Sequence, residues 1–384
     1  MKNPISIQAI STISPLGSTE EEIWRNYSSE KHFFKEIEIG GRKSLVGELS
    51  KELKQAVNLL RDENSKYRHL DDSVLFAILA GRNLELENDL DLEAAGINIG
   101  SSRGATGLFE KYHTEYIRTG KTSTYSSPTT TLGNISSWVA QDLQLNGPQF
   151  SHSVTCSTGM HAILNAVAWL QSGMASSFVA GGSEAPLTGF TLSQMKAMKI
   201  YASENLDFPC RSLDMKKERN TMILGEGAGL VILKEGIQVD APFLIEGIGY
   251  ANEKLKHGAS LSKKGKCLQK SMKMAMNSAG LDRVDAVVMH APGTIGGDNS
   301  EVNAIRKLLG DDLPAMTSNK WKTGHSFAAS GIWSLQMASM MLEHQEFLPV
   351  PFSEYQQIPE KLDRIMVNSV GFGGNAVSLI VSKN

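Results

Sequence analysis

Apolar residues recur at helical steps in several stretches, and short unbroken apolar runs lie between them. Met160, Ile163, Leu164, Val167 and Leu170 predict a helix behind Cys156, and Phe150 to Thr155 ahead of it reads as a short strand. Val74, Leu75, Ile78 and Leu79 mark the buried face of a helix over 71–86. Further helices are expected over 132–143, 266–279, 299–309 and 328–345, and Ser18-Thr19-Glu20-Glu21 is a helix start. Strands are expected over 4–10, 95–100, 177–180, 229–233, 243–250, 286–289, 314–318, 364–369 and 376–382. Residues 30–68 are charged and weakly periodic and read as surface. Residues 121–131, rich in Ser and Thr, read as a linker or as a loop over a site or subunit interface.

The alternation of helices and strands gives the α/β class. It starts afresh near residue 227. In each half a strand runs into a small-residue loop and then a long apolar helix: Cys156-Ser157-Thr158-Gly159 opens that helix in the first half, His325-Ser326-Phe327-Ala328-Ala329-Ser330-Gly331 in the second. This suggests two similar α/β halves, 1–235 and 236–384, with their special loops facing each other.

The 384 residues suffice for a large core or two domains sharing one. A net charge of −3 gives no reason to expect nucleic acid or an anionic membrane as partner. Cys156, Cys210 and Cys267 form no CxxC pair and no disulfide framework, which fits a reducing compartment. No apolar run reaches membrane-spanning length, and the start reads as an opening strand rather than a signal peptide. A cytoplasmic enzyme is expected.

A cysteine where strand turns into helix has two advantages. The helix N-terminus favours thiolate, and free backbone N–H groups can hold an oxyanion. Five further patches matter: His290-Ala291-Pro292-Gly293-Thr294 with Asp298 and Glu301 behind it; Asn319-Lys320-Trp321-Lys322-Thr323-Gly324-His325; Gly371-Phe372-Gly373-Gly374-Asn375; Gly225-Glu226-Gly227-Ala228-Gly229; and Gly181-Gly182-Ser183-Glu184-Ala185. Each alone is weak. The fourth lacks the Lys-Ser/Thr ending of a phosphate loop and precedes a strand. The two histidines have no third ligand at metal spacing, so no metal is expected.

Together, one thiol, two histidines and a lysine suit thioester chemistry. Val154-Thr155-Cys156-Ser157-Thr158-Gly159, His290, Glu301, Lys320, Thr323-Gly324-His325 and Gly371-Phe372-Gly373-Gly374 resemble, in order and spacing, the elongating β-ketoacyl synthases of the thiolase-like superfamily. The resemblance runs from Ser14-Pro15-Leu16-Gly17 to the Gly371 turn. It implies a thiolase-like fold in αβαβα layers, and an acyltransferase that joins an acyl group on Cys156 to malonyl thioester with loss of CO2. His290 and His325 would stabilise the enolate. The backbone N–H groups of Cys156 and Phe372 would form the oxyanion hole, with Phe372 also a gate. Lys320 would pair with Glu301 and tune the field at His290. Thr294 would bind pantetheine, and Gly373 and Gly374 would shape the turn. No bound cofactor is implied, because substrates arrive on the phosphopantetheine of acyl carrier protein. The resemblance further implies a dimer, either homodimeric or paired with a paralogous ketosynthase, with Tyr125 or a neighbour reaching the partner's pocket. Lys216, Lys217 and Arg219 are candidate carrier contacts.

Three departures stand out. Ala291-Pro292 replace the Gly-Thr after the first histidine, Asn375 replaces a threonine, and the segment from Met215 to Asn220 is longer. The condensation is expected in fatty acid or specialised polyketide or polyene lipid biosynthesis, and these departures point away from housekeeping fatty acid synthesis towards the specialised pathway. A non-catalytic chain-length-setting subunit is the alternative, and Cys156 with both histidines argues against it. A degradative thiolase would need a second cysteine as base, and neither Cys210 nor Cys267 sits in such a motif.

Overall fold

The computed structural model describes residues 1, 3–84, 91–132, 134–203, 206–254, 261–310 and 312–384. Its strands, in chain order, are β1 (Ile5–Ile13), β2 (Lys35–Ile39), β3 (Arg42–Val46), β4 (Gly96–Gly100), β5 (Gln149–Phe150), β6 (Ser177–Glu184), β7 (Gly227–Glu235), β8 (Phe243–Asn252), β9 (Ala286–Val288), β10 (Ala315–Thr317), β11 (Arg364–Gly371) and β12 (Asn375–Lys383). The helices are α1 (Glu20–Ser28), α2 (Lys51–Glu63), α3 (Asp72–Arg82), α4 (Thr106–Thr119), α5 (Ser126–Thr130), α6 (Asn134–Leu143), α7 (Thr158–Gln171), α8 (Gly189–Ala197), α9 (Lys266–Ala279), α10 (Ile295–Leu309), α11 (Lys320–Thr323) and α12 (Ser330–His344).

One sheet has the order β1-β7-β6-β4-β5, the other β8-β12-β11-β9-β10. With the β2–β3 hairpin set aside, each half lists its strands first, last, fourth, second, third. The directions match as well: the first two pairings are antiparallel and the last two parallel. The two halves therefore share one topology, and each loop in one half has a counterpart in the other.

Helix α12 is buried on every side from Ser330 to Leu342, the mark of a helix enclosed within the protein. Its Ile332 and Leu335 join Ile163 and Val167 of α7, Val231 of β7 and Val377 of β12 in one core cluster. So α7 and α12 form a middle layer between the sheets. Helices α3 and α6 cover the outer face of the first sheet, and α9 and α10 that of the second. The result is five αβαβα layers. Strands β4 and β6, enclosed on both faces, are buried throughout, which explains their unbroken small and apolar runs.

Local signals set the boundaries. Thr19 caps α1 by accepting the Glu22 N–H at 3.3 Å, and Gly280 stops α9 in the left-handed region at φ +68°. Helix α10 starts at Ile295, four residues ahead of the expected 299, because Thr294 caps it. Residues 85 and 86, at the expected end of the 71–86 helix, and Gly133, within the expected 132–143 helix, lie outside the described residues.

Four expectations need correction. The strand ahead of Cys156 is only Gln149–Phe150, and Ser151 to Thr155 instead build the turn that presents the cysteine. Residues 30–68 contain a hairpin and helix α2, whose Leu53, Val57 and Leu60 are buried. Helices α4 and α8 were not expected at all. Within the Ser/Thr-rich stretch, Ser126–Thr130 is a short helix, and Tyr125 ahead of it stacks on His69 at 3.8 Å.

Candidate active site

Cys156 sits in the turn before α7, 5% exposed. The preceding Thr155 takes φ +51°, a left-handed backbone that a β-branched residue adopts only under constraint. The constraint is visible. Thr155 Oγ1 donates to the Phe372 carbonyl at 2.9 Å, and the Thr155 carbonyl accepts from Ser102 Oγ and from the Thr158 N–H at 3.1 Å. Gly371 makes this approach possible, since a Cβ there would lie 2.0 Å from Thr155 Oγ1. Gly159, one turn into α7, likewise lets the two halves meet, since its Cβ would lie 2.4 Å from the Ala328 carbonyl. The close approach of small residues around the cysteine follows directly from these contacts.

The Phe372 backbone lies beside the thiol, and its N–H favours the thiolate form. Burial raises its pKa to about 12, against the lowering from that N–H and from the Lys320 charge. Desolvation thus works against the thiolate that a helix N-terminus favours. Cys156 belongs to one apolar cluster with Val46, Leu192, Met195, Tyr201, Met222, Leu224 and Phe327.

His290 leaves the end of β9, and His325 follows α11. Both are buried, with ring centroids 5.1 Å apart at 85°. Burial first, then the charge of Lys320, lowers both pKa values, that of His325 to about 3. Both imidazoles are therefore neutral at pH 7. His325 Nδ1 lies 2.9 Å from Ser330 Oγ, which also accepts the Ser326 N–H at 2.9 Å.

Glu301 accepts the backbone N–H groups of His290 at 3.0 Å and Ala291 at 2.9 Å, and Asn368 Nδ2 at 3.1 Å. Burial pushes its pKa up to about 7. The carboxylate thus clamps the loop that carries His290. It forms no direct ion pair with Lys320 among the described residues, and the two interact through the field alone. Lys320 is 1% exposed, and burial lowers its ammonium pKa to about 8. Thr294 spends its hydroxyl on the Gly297 N–H at 3.2 Å, capping α10. Phe372, Gly373 and Gly374 form the turn between β11 and β12, with Gly373 at φ +98° and Gly374 at φ +69°.

Sequence reasoning named Asp298 and Glu184 only as members of their patches and missed Asn368, and it read a role for none of the three. Asp298, 0% exposed, binds Lys217 Nζ at 2.7 Å and the N–H groups of Leu213 and Gly293, pinning the far end of the His290 loop. Lys217 is therefore a buried loop anchor and not a surface contact for a carrier. Glu184, fully buried at the end of β6, accepts from the N–H groups of Ser102 and Ala328 on opposite sides of the site, and burial raises its pKa to about 7. Asn368 bridges Glu301 and Ser378. The available signal was a polar residue inside or ending an apolar strand run. Among the described residues, no group of three or more His, Cys, Asp or Glu side chains could hold a metal ion.

The sequence profile of the beta-ketoacyl synthase N-terminal domain matches residues 2–238, and that of the C-terminal domain matches residues 243–352. The chain belongs to the beta-ketoacyl synthase family. Among its relatives, 3-oxoacyl-[acyl-carrier-protein] synthase 2 of Coxiella burnetii is 26% identical over 100% of this chain and 99% of the relative. The protein of the same description from Staphylococcus aureus (strain COL) is 25% identical over 99% and 98%. Solved ketosynthases share the fold. The ishigamide ketosynthase/chain length factor superposes with a TM-score of 0.85 at 18% identity, covering 100% of this chain and 99% of that one. A β-ketoacyl synthase from Burkholderia phymatum gives 0.84 at 19%, covering 100% of both chains. The thiolase-like αβαβα fold expected from the motifs is thus the observed one.

Proposed function

We propose that this β-ketoacyl synthase condenses an acyl group held on Cys156 with a malonyl group held on acyl carrier protein. The observation that carries this reading is a buried thiol, on a turn tied to Phe372, that shares the Phe327 cluster with the second of two buried, neutral histidines 5.1 Å apart.

In the first half-reaction Cys156 Sγ attacks the acyl thioester carbonyl. The thiol proton leaves with the departing pantetheine sulfur, and the oxyanion is held by the N–H groups of Cys156 and Phe372. In the second, the malonyl carboxylate departs as CO2, and the electron pair moves onto the thioester oxygen as an enolate. Neutral histidines can each donate one N–H to that oxygen. A Ser330 hydroxyl that donates to His325 Nδ1, 2.9 Å away, would set the His325 proton on Nε2. The enolate carbon attacks the acyl carbonyl, and the released Cys156 sulfur takes up a proton. Burial, with the Lys320 charge adding to it, keeps both imidazoles from protonating, so they remain donors with no change in net charge.

The carrier reaches the site beside the His290 loop. A cleft of about 530 Å³ there is lined by Lys43, Lys196, Lys199 and Arg219, with Glu36 as the acidic residue among them. Its Asn220 accepts the Ile295 N–H at 2.9 Å, which ties the cleft to Thr294. Such a basic wall suits an acidic carrier and the phosphate of its arm. Pro292, which has no N–H, makes the adjoining tunnel wall less polar, in keeping with a specialised substrate.

Of the molecules sharing this fold, one is described as a type II polyketide acyl carrier protein in complex with its ketosynthase bound to the hexaketide, and another as a ketosynthase with its chain length factor. A dimer, with itself or with a paralogue, belongs to this reading. Intact-protein mass spectrometry after incubation with a panel of acyl-carrier thioesters tests it. A mass gain absent from Cys156→Ala supports a competent synthase. No gain with any donor, alone or with a co-purified paralogue, overturns it.

A further inference from the structure

Ser330 opens α12, five residues after His325, and both are buried together with Ser326. Ser330 Oγ lies 2.9 Å from His325 Nδ1, 2.9 Å from the Ser326 backbone nitrogen and 3.2 Å from Ser326 Oγ. A few protons are thus shared among groups shut away from solvent. Counting them decides which group donates.

A backbone N–H can only donate, so Ser330 Oγ accepts from Ser326. The Ser330 proton then has two acceptors in reach, His325 Nδ1 and Ser326 Oγ. A neutral imidazole carries one proton, so each choice fixes the ring. If Ser330 donates to Nδ1, the ring proton sits on Nε2. Ser326 then gives its hydroxyl proton to the second lone pair of Ser330 Oγ, and every proton of the group is used. In the reverse arrangement Nδ1 carries the ring proton and donates to Ser330, which donates to Ser326 Oγ. The Ser326 hydroxyl proton is then left without an acceptor among the described residues. A buried donor without a partner is costly, and the first arrangement avoids that cost. It also forms a chain from Ser326 through Ser330 to His325 in which each bond polarises the next, so the terminal Nε2–H is a stronger donor. The His290 ring has no such support, since it makes no hydrogen bond among the described residues.

We propose that Ser330, held by Ser326, is a positioning residue for the condensation: its hydroxyl donates to His325 Nδ1 and keeps the imidazole proton on Nε2, the donor for the enolate oxygen. The part played at the enolate rests on the condensing reading, whereas the direction of the hydrogen bond does not. The two histidines then have different duties. His325 is a fixed donor, and His290 is the ring free to take the tautomer that its ligand requires.

Nitrogen-15 NMR of protein labelled at its nine histidines reads the proton positions, because protonated and bare ring nitrogens differ widely in shift. His325→Asn assigns the His325 signals. The expected wild-type spectrum has a single Nε2–H tautomer at His325 at pH 7. In Ser330→Ala an Nδ1–H population appears, and Ser330→Thr, which keeps the hydroxyl, restores the single form. In single-turnover and steady-state condensation Ser330→Ala is slower by about tenfold in kcat with KM for the malonyl carrier little changed, a smaller loss than removal of the donor itself. Ser330→Thr recovers most of that rate. An Nδ1–H proton or a mixture of tautomers at His325 in the wild-type protein overturns the proposal. A Ser330→Ala protein that keeps the single tautomer, or loses it without losing rate, overturns it as well. The wild-type spectrum needs no change at Ser330, so it decides even where Ser330→Ala folds poorly. Nε2–H at His325 in a wild-type protein that no carrier thioester acylates at Cys156 would sink the condensing reading alone.

Discussion

The two halves of the molecule share strand order and direction, yet their site loops do opposite things. The first half supplies a thiol at a backbone turn, set among Leu192, Met195, Met222 and Phe327. The second supplies His290, Lys320 and His325, all buried, with Glu301 beneath them. One surface is apolar around a thiol; the other carries neutral, buried imidazoles beside a buried ammonium. Burial acts on both but with different results. It raises the Cys156 pKa to about 12, and it lowers those of the histidines. A duplicated fold can divide a two-step reaction, as proposed above, by placing different side chains at matching strand ends.

The largest expected effect tests whether the halves act separately. Cys156→Ala loses all acyl-enzyme formation by intact mass while still releasing CO2 from malonyl thioester, because decarboxylation uses the second half. Loss of both together would break the division. The reverse substitution comes next. His325→Ala keeps acylation of Cys156 but lowers condensation by about 10²–10³, the usual loss for one transition-state donor; single-turnover product formation checks this.

The third prediction concerns the scaffold of the second half. Lys217→Met leaves Asp298 charged and unpaired in the interior and should cost about 3–5 kcal/mol in urea unfolding. Lys217→Met combined with Asp298→Asn should recover part of it. An effect of Lys217→Met near zero would show that the loop does not depend on the pair.

The smallest effect is in pH dependence. His325 has a folded pKa of about 3 against 6.5 when free, so between these values the unfolded chain binds the extra proton. Its contribution to stability is therefore fully present above pH 6.5 and lost as pH falls toward 3. Glu184 and Glu301, raised to about 7, act in the opposite sense, taking up protons on folding between pH 7 and 4.5. Comparison with His325→Asn isolates the histidine. The variant should lose less stability on acidification from pH 6.5 to 4, by at most about 1.4 kcal/mol per pH unit. Equal slopes in urea unfolding would mean that His325 is accessible to protons in the folded state.

Much of this was legible from the chain. The α7 and α12 periodicities, the buried strands and the Cys156, His290, Lys320, His325 and Phe372 motifs follow from local pattern, because an apolar run or a glycine turn is written in consecutive residues. The β2–β3 hairpin was not legible. Its Lys-Glu-Ile-Glu-Ile alternation is half exposed and carries too little apolar contrast. Helices α4 and α8 escaped for a similar reason, since each buries only a few side chains. Strand β5 was overextended because Val154 and Thr155 have strand propensity, and contact with Phe372, more than two hundred residues away, overrides it.

The sequence by itself determined the class of the fold, the family and which chemical groups stand in the special loops, since these depend on residue kind and order. Only the tertiary structure decided what state those groups are in. The thiol is protonated and the histidines are neutral because both halves close over them and exclude water. Glu301 holds backbone where an ion pair with Lys320 was expected. Lys217 is an internal anchor. Desolvation and hydrogen-bond partners are set by which distant residues meet, and no local pattern in the chain records that.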